Sequence, residues 1–226
     1  MTKAAPTPEP FFGTLPDTLP LFPLPGVLVL PHGCLPLHVF EPRYRSMIAH
    51  AMKGNKLIGM VQTTDSYDEA VPSDANLFDV GCAARISSYN ETDDGRMLIS
   101  VCGVNRFRII DDTISEDGYR VARVSYEGFE KDNRQMTPAE AEAERHALMR
   151  AIDDYFDVAE DGADWAAIAR ANTVDLLTSL AMMSPLDARD KQALLECPTA
   201  DERHKLLLAL MDMAATRDGP ASSSTQ

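Results

Sequence analysis

Cysteine and histidine are the residues of this chain that could bind a metal or carry redox chemistry. The four cysteines form no C-x-x-C pair, and no pair of histidines lies near them in the sequence. His32 and Cys34 are close together, but structural zinc normally takes about four ligands and the sequence offers no others nearby. We therefore expect no metal and no cofactor. We also expect reduced, buried thiols at Cys34, Cys82, Cys102 and Cys197.

The acidic and nucleophilic residues show no catalytic spacing. Asp93 and Asp94 lie in a predicted turn, where charged residues usually face solvent. The G-x-S-x-G motif of many hydrolases and the G-x-x-x-x-G-K-[ST] phosphate loop are both absent from the sequence. We therefore predict a protein that binds and is not an enzyme. A hydrolase whose site follows no known motif is one alternative.

The charge of the chain argues against a nucleic-acid partner. The sequence has 35 Asp and Glu residues against 21 Lys and Arg residues, a formal net charge of −14, and acidic residues outnumber basic ones in both halves. Nucleic-acid binding depends on Lys and Arg that displace counterions from phosphates.

No apolar run reaches the roughly 18–20 residues of a membrane helix, and the N-terminus does not resemble a signal sequence. We therefore expect a cytoplasmic protein with no membrane partner.

The first half of the chain is predicted to be rich in β-strands. Its apolar residues come in short runs with a period near two, bounded by Pro, Gly and Asp. One helix interrupts them, beginning at Pro42 and ending at Gly54. Many short strands with Pro-rich connections predict a closed or strongly curved sheet. The predicted strands are Leu19–Leu24, Val27–Leu30, Leu35–Phe40, Lys56–Gln62, Cys82–Tyr89, Arg96–Cys102, Arg106–Ile110 and Tyr119–Tyr126.

Prolines mark the first of these segments. Four of them lie between Leu19 and Pro31, and each removes a backbone N–H that a central strand would need. We therefore expect this segment to form an edge strand that kinks as it enters the sheet.

After Asn133 the apolar period changes to about 3.6, which predicts helices. Thr137–Glu140 supplies an N-cap, a first-turn proline and a capping-box glutamate for a helix that runs to about Asp157. Ser184 with the following proline, and Thr199 with a glutamate three residues later, are expected to begin two further helices. Four or five antiparallel helices joined by short links predict a bundle.

Four motifs, in order, resemble the substrate-binding domain at the N-terminus of the ATP-dependent protease Lon. Leu19–Gly26 has the sequence LPLFPLPG, and Leu35–Tyr44 has the more specific sequence LPLHVFEPRY. Gly81–Ile86 is similar to the G-x-x-x-x-I strand of that family, and Gly103–Ile109 to its G-x-x-R-F-x-I strand. The helical half is similar to the bundle that follows in Lon. The resemblance therefore extends over most of the chain.

This resemblance implies an α+β fold with two subdomains. A PUA-like β pseudobarrel is expected in residues 16–133, followed by a C-terminal helical bundle in residues 134–215. Residues 1–15 and 216–226 are rich in Pro, Thr, Ala or Ser and are expected to be disordered tails. Because the sequence contains no ATPase or protease domain, we expect a stand-alone form of the Lon domain.

The resemblance also implies a function in binding unfolded or partner polypeptides, as an adaptor that presents them to a separate protease or chaperone. Unfolded segments offer apolar side chains and unpaired backbone groups, which an apolar groove or a sheet edge can match. The oligomeric state is left open. The expected contact residues lie near the Pro-rich entry and the LPLHVFEPRY turn: Leu24, Val27, Phe40 and Tyr44.

Charged residues beside Pro42 are expected to have a structural role. Glu41 gains from the dipole of the following helix, and we expect it to form a clasp together with Arg43 and a strand guanidinium, Arg85 or Arg106. A module that binds RNA or a modified nucleotide is the other alternative for a PUA-like fold. Its only cationic patch would consist of Arg85, Arg106, Arg108, Arg120 and Arg123.

Overall fold

The computed structural model of the chain describes residues 14–67, 70–133 and 173–217, together with positions 139 and 142. The helix predicted from Thr137 to Asp157 therefore lies outside the described residues, apart from those two helical positions, as does most of both predicted tails. The last helix continues to Arg217, two residues beyond the predicted bundle boundary at 215.

The described residues form a strand-rich part followed by helices. The strands are β1 (Thr18–Pro23), β2 (Cys34–Val39), β3 (Leu57–Val61), β4 (Val80–Glu91), β5 (Met97–Ile114) and β6 (Arg120–Ser125). The helices are α1 (Pro42–Lys53), a 3₁₀ turn (Glu130–Asn133), α2 (Thr173–Met183), α3 (Ala188–Glu196) and α4 (Ala200–Arg217).

The strands form one sheet in the order β2-β5-β4-β3-β1-β6. Because β6 also pairs with the second half of β5, the strands β5, β4, β3, β1 and β6 are hydrogen-bonded in a closed circuit. Strands β1 and β3 are parallel, and all other pairs are antiparallel. Within the described residues β2 pairs only with the first half of β5, so it stands outside the circuit.

The prediction that the Pro-rich entry is an edge strand is wrong. Strand β1 lies between β3 and β6, but it pairs with β6 over Thr18–Leu21 and with β3 over Leu21–Pro23. Pro20 and Pro23 therefore each lie where only one neighbour is paired. The missing N–H of each proline can point to the unpaired side, which is how an interior strand of this sheet accommodates two prolines.

Strand β5 joins two segments that the sequence separates at Gly103. The register between β4 and β5 shifts at this point, between Ala83 and Ala84, which is a bulge rather than a break. A Cβ atom on Gly103 would lie 2.1 Å from the carbonyl oxygen of Leu30, so only glycine allows the two backbones to approach. The predicted strand Val27–Leu30 forms no ladder; only Pro31 makes an isolated bridge to Gly103.

Helix α1 is confirmed as predicted. It begins with Pro42 in its first turn, and Gly54 ends it by donating its backbone N–H to the carbonyl of Ala51. Its buried face consists of Tyr44, Met47, Ile48 and Ala51, which are the residues at helical spacing in the sequence.

The starts of the two last helices are predicted with mixed success. The capping box of α4 is confirmed, because the Thr199 hydroxyl accepts from the Glu202 N–H and the Glu202 carboxylate accepts from the Thr199 N–H. The cap predicted at Ser184 is wrong. Asp187 caps α3 by accepting from the Asp190 N–H at 2.8 Å, whereas the Ser184 hydroxyl donates back to the carbonyl of Leu180 in α2.

Two apolar clusters stabilise the described part of the chain. One is centred on the fully buried Phe107 and consists of strand residues that include Leu21 and Ala122. The other joins α1, the first half of β5 and α3, through residues such as Met47, Ile99 and Leu194. No helix within the described ranges is long and apolar enough to cross a membrane.

Polar side chains attach α3 to the sheet. The Gln192 amide donates to the carbonyl of Val80 on β4 at 3.1 Å, and the Lys191 ammonium donates to the carbonyl of Gly26 at 3.0 Å. The Gln62 amide donates in the opposite direction, from the end of β3 to the carbonyl of Ala188. The helical part is therefore held against the strands along the length of α3.

Candidate functional site

The outer edge of β2 and the residue that follows it form the candidate site. Phe40 is 65% exposed, which is unusual for a phenylalanine next to a sheet. His38 lies opposite Leu98 on β5, and Leu98 lies opposite Asn90 on β4, so these three side chains share one face of the sheet. Leu98 is also exposed. An apolar side chain at the end of a strand edge that no described residue pairs is the arrangement that an extended polypeptide can contact.

Tyr44, which we expected beside Phe40 in the contact surface, is part of the core. Its side chain is 3% exposed, and its ring centroid lies 4.5 Å from that of Phe22 on β1. Burial raises the pKa of the Tyr44 phenol to about 12. The placement of Tyr44 in a groove is therefore wrong, because α1 turns its apolar face, and this ring with it, toward the sheet.

Leu24 and Val27 lie in the turn after β1. The Val27 N–H donates to the carbonyl of Leu24, and Gly26 adopts the left-handed backbone conformation, with φ of +69°, that this turn needs. Both side chains are half-buried, and Leu24 packs against the core cluster that contains Tyr44. Phe40 does not belong to that cluster.

Glu41 and Arg43 form a pair with each other rather than with Arg106. The Glu41 carboxylate accepts from the Arg43 guanidinium at 2.8 Å, and Arg43 also donates to the carbonyl of Val71 in the β3–β4 loop. The Arg43 guanidinium lies 4.5 Å from the centre of the Tyr44 ring, in a cation–π arrangement. This pair therefore joins the start of α1 to the long loop. Arg85 lies half-buried on β4, opposite Leu57 and Cys102.

Arg106 pairs with Asp132, an acid that the sequence did not single out. The guanidinium is 1% exposed, and its Nη2 donates to Asp132 Oδ1 at 2.6 Å. Its Nη1 donates to the carbonyls of Leu195 and Cys197 at the end of α3, and the group stacks on Phe129. Arg106 is therefore a clasp, but one between the sheet, the 3₁₀ turn and the helical part. The prediction that it pairs with Glu41 is wrong.

Three of the five arginines proposed for an RNA patch are buried or paired with carboxylates. Arg106 is buried, Arg120 pairs with Asp112 at 2.6 Å, and Arg123 pairs with Asp111. Arg120 also donates to the carbonyl of Ala75 in the β3–β4 loop. Because carboxylates already neutralise the strand arginines Arg120 and Arg123, this geometry disfavours phosphate binding.

The expectation of four reduced cysteines is wrong for two of them. Cys34 and Cys102 lie directly opposite each other on β2 and β5, and they form a disulfide with a Cα–Cα distance of 4.1 Å. Cys82 is a free thiol in the core, and burial raises its pKa to about 12. Cys197 is a half-buried free thiol whose pKa burial also raises. Among the residues that the structure describes, no group of three or more His, Cys, Asp or Glu side chains is placed to hold a metal.

Comparison with known proteins identifies the family. Residues 18–213 match the model of the ATP-dependent protease La (LON) substrate-binding domain. Lon protease 2 of Bdellovibrio bacteriovorus is 30% identical over 204 residues, covering 85% of this chain and 24% of that protein. Lon protease of Escherichia coli K12 is 29% identical over 216 residues, covering 86% of this chain and 24% of that protein.

Solved structures show the same fold. The Lon N-terminal domain protein from Xanthomonas campestris superimposes with a TM-score of 0.55 at 23% identity, covering 86% of this chain and 96% of that one. The N-terminal domain of Lon protease from the Mycobacterium avium complex gives a TM-score of 0.57 at 19% identity, covering 86% and 97%. The fold is thus that of a Lon N-terminal domain. The chain belongs to the Lon substrate-binding domain family, and it spans about a quarter of the length of the curated relatives it matches.

Proposed function

We propose that this chain is a non-catalytic module that binds polypeptides through a surface centred on Phe40 and the outer edge of β2. The single observation that carries this proposal is an aromatic ring 65% exposed at the end of a strand that no described residue pairs on its outer side. The match to a substrate-binding domain family supports the class of ligand. In this proposal the strand circuit is a PUA-like pseudobarrel and the helices that follow form a bundle.

Phe40 is suited to binding because exposure of its apolar ring to water is unfavourable in free energy, and a partner that covers the ring removes this cost. Transfer of apolar surface out of water contributes about 25 cal/mol per Å², and exposed aromatic anchors at the centre of a contact often dominate its energy. In this proposal Leu98 extends the apolar contact across β5, and the half-buried Leu24 and Val27 form a second position to test. The adjacent Glu41–Arg43 pair fixes the start of α1, directly after Phe40.

The proposed cellular role is that of a cytoplasmic adaptor that presents unfolded or partner polypeptides to a separate protease or chaperone. Membership of a family named for substrate binding supports the binding of polypeptides in this role. No observation on the described residues favours nucleic-acid binding or hydrolysis over this role.

A binding titration tests the proposal. A fluorescently labelled model protein, kept unfolded by reduction and blocking of its cysteines with neutral groups, is titrated with the purified chain and followed by fluorescence anisotropy. We expect saturable binding of the unfolded form and much weaker binding of the same protein when it is folded. The Phe40→Ala variant should bind at least about tenfold more weakly, which corresponds to about 1.4 kcal/mol.

An exposed apolar residue elsewhere in the sheet supplies the matched control. Ile110 on β5 is 52% exposed, so Ile110→Ala removes a comparable surface without touching β2. This variant should bind like the unchanged protein. Equal loss in both variants would show that the effect is non-specific hydrophobic adhesion. Binding of a single-stranded oligoribonucleotide in preference to the polypeptide would contradict the proposed class of ligand.

A further inference from the structure

The hydrogen-bond phase of the β2–β5 ladder determines which backbone groups of β2 face outward. The Gly103 N–H donates to the carbonyl of Gly33 at 2.8 Å, and Cys34 then lies opposite Cys102 in the same register. In an antiparallel pair, hydrogen-bonded and non-hydrogen-bonded positions alternate. Cys34 is therefore a non-hydrogen-bonded position, and its Cα–Cα distance of 4.1 Å to Cys102 agrees with the shorter spacing of such pairs.

The same alternation continues to the end of the strand. Leu35, Leu37 and Val39 direct their N–H and carbonyl groups to β5, whereas Cys34, Pro36 and His38 direct theirs away from it. Pro36 has no N–H. The outer edge of β2 therefore presents donors at Cys34 and His38, and carbonyl acceptors at Cys34, Pro36 and His38.

The composition of this edge indicates what kind of segment it accepts. Strand β2 has the sequence CLPLHV and contains no Asp, Glu, Lys or Arg, and an exposed phenylalanine follows it. The net charge of −14 repels a second copy of this chain and repels acidic segments. An extended, apolar segment without acidic residues matches Phe40 and the outward backbone groups of β2, which no described residue pairs.

We propose that such a segment binds as an added strand along the outer edge of β2, with the His38 amide as the principal donor and Pro36 as a position without one. The inference rests on the proposed function and specifies how the polypeptide is held. Because backbone hydrogen bonds do not depend on the side chains of the added strand, this mode accepts many sequences. Phe40 then selects for an apolar residue near one end of the segment.

Two substitutions of His38 distinguish the contribution of its backbone amide to binding from that of its side chain. His38→Pro removes the outward N–H and places a ring carbon where the added strand would lie, while the ladder to β5 keeps all its hydrogen bonds. Pro36 already occupies the equivalent position two residues earlier. His38→Ala loses the same imidazole and keeps the amide. In the anisotropy titration we expect His38→Pro to bind the unfolded polypeptide at least about tenfold more weakly than His38→Ala.

A second measurement leaves the protein unchanged and alters the ligand. An uncharged apolar decapeptide is compared with the same peptide carrying an N-methyl group on every backbone nitrogen, which leaves neither edge of the peptide with an N–H to donate to β2. We expect the methylated peptide to lose binding to the unchanged protein. This comparison tests whether the peptide binds as an added strand even if His38→Pro does not fold.

The outcomes distinguish the two proposals. Equal binding of the two His38 variants, or of the two peptides, would overturn the added strand and leave polypeptide binding in place. Failure of the unchanged protein to bind either unfolded probe would overturn both.

Discussion

Replacement of Arg106 by Met should destabilise the protein severely. Arg106 is 1% exposed and pairs with Asp132, and it also donates to the carbonyls of Leu195 and Cys197. The substitution leaves a buried carboxylate without its partner, which costs about 3–5 kcal/mol. For a chain of this size each kcal/mol lowers the Tm by about 2–4 °C, so we expect a loss of about 6–20 °C. Urea unfolding at neutral pH, followed by circular dichroism, measures the free energy directly.

Two further variants test the physical reason. The double variant Arg106→Met/Asp132→Leu removes both charges and should lose less stability than Arg106→Met alone, because no unpaired charge remains buried. Arg123 forms an ion pair with Asp111 in which both side chains are 58% exposed, so Arg123→Met should leave the urea unfolding curve nearly unchanged. A loss of stability for Arg106→Met no larger than that for Arg123→Met would refute the argument.

Three other outcomes follow from burial. Tyr44→Ala should cost about 3–5 kcal/mol of stability, because the ring packs on Phe22, and an unchanged Tm would place Tyr44 at the surface. Reduction of the Cys34–Cys102 disulfide should lower the free energy of unfolding by about 4 kcal/mol, because the bond closes a separation of 68 residues. Identical urea unfolding curves with and without reductant would contradict the presence of the bond. Cys82 should resist alkylation at pH 8 until the protein unfolds, because burial raises its pKa to about 12 and keeps it a protonated thiol. Labelling of Cys82 in the native protein, distinguished from labelling of the half-buried Cys197 by peptide mass spectrometry, would show otherwise.

Local rules predicted the helix at Pro42 well and could have corrected one site residue. The proline, the closing Gly54 and the apolar spacing are all read within one segment of sequence. That same spacing places Tyr44 on the buried face with Met47, so its assignment to a binding surface conflicted with the periodicity. Phe40 precedes the helix, so the apolar spacing of α1 does not place it on the buried face, and its exposure is consistent with this.

Long-range pairings explain the errors. Arg106 and Asp132 are 26 residues apart, and nothing in the spacing of either residue indicates the other. The Cys34–Cys102 bond depends on the register of β2 against β5, which sequence alone does not fix. The same register places Leu98 of β5 opposite His38 of β2, so the sequence alone does not indicate that Leu98 belongs to the candidate site. The strand β1 keeps its prolines because its two neighbours pair with different halves of it, a feature that appears only once the sheet is assembled.

Residue-resolved hydrogen exchange tests the central claim most directly, because it locates the bound polypeptide without altering the protein. The backbone N–H of His38 points away from β5 and should exchange rapidly in the free protein, whereas that of Leu37 is already protected by the ladder. On saturation with an unfolded polypeptide we predict that exchange slows at His38 and Cys34 and stays unchanged in the β5–β6 hairpin around Ile114. Slowed exchange in that hairpin with none along β2 would contradict the account.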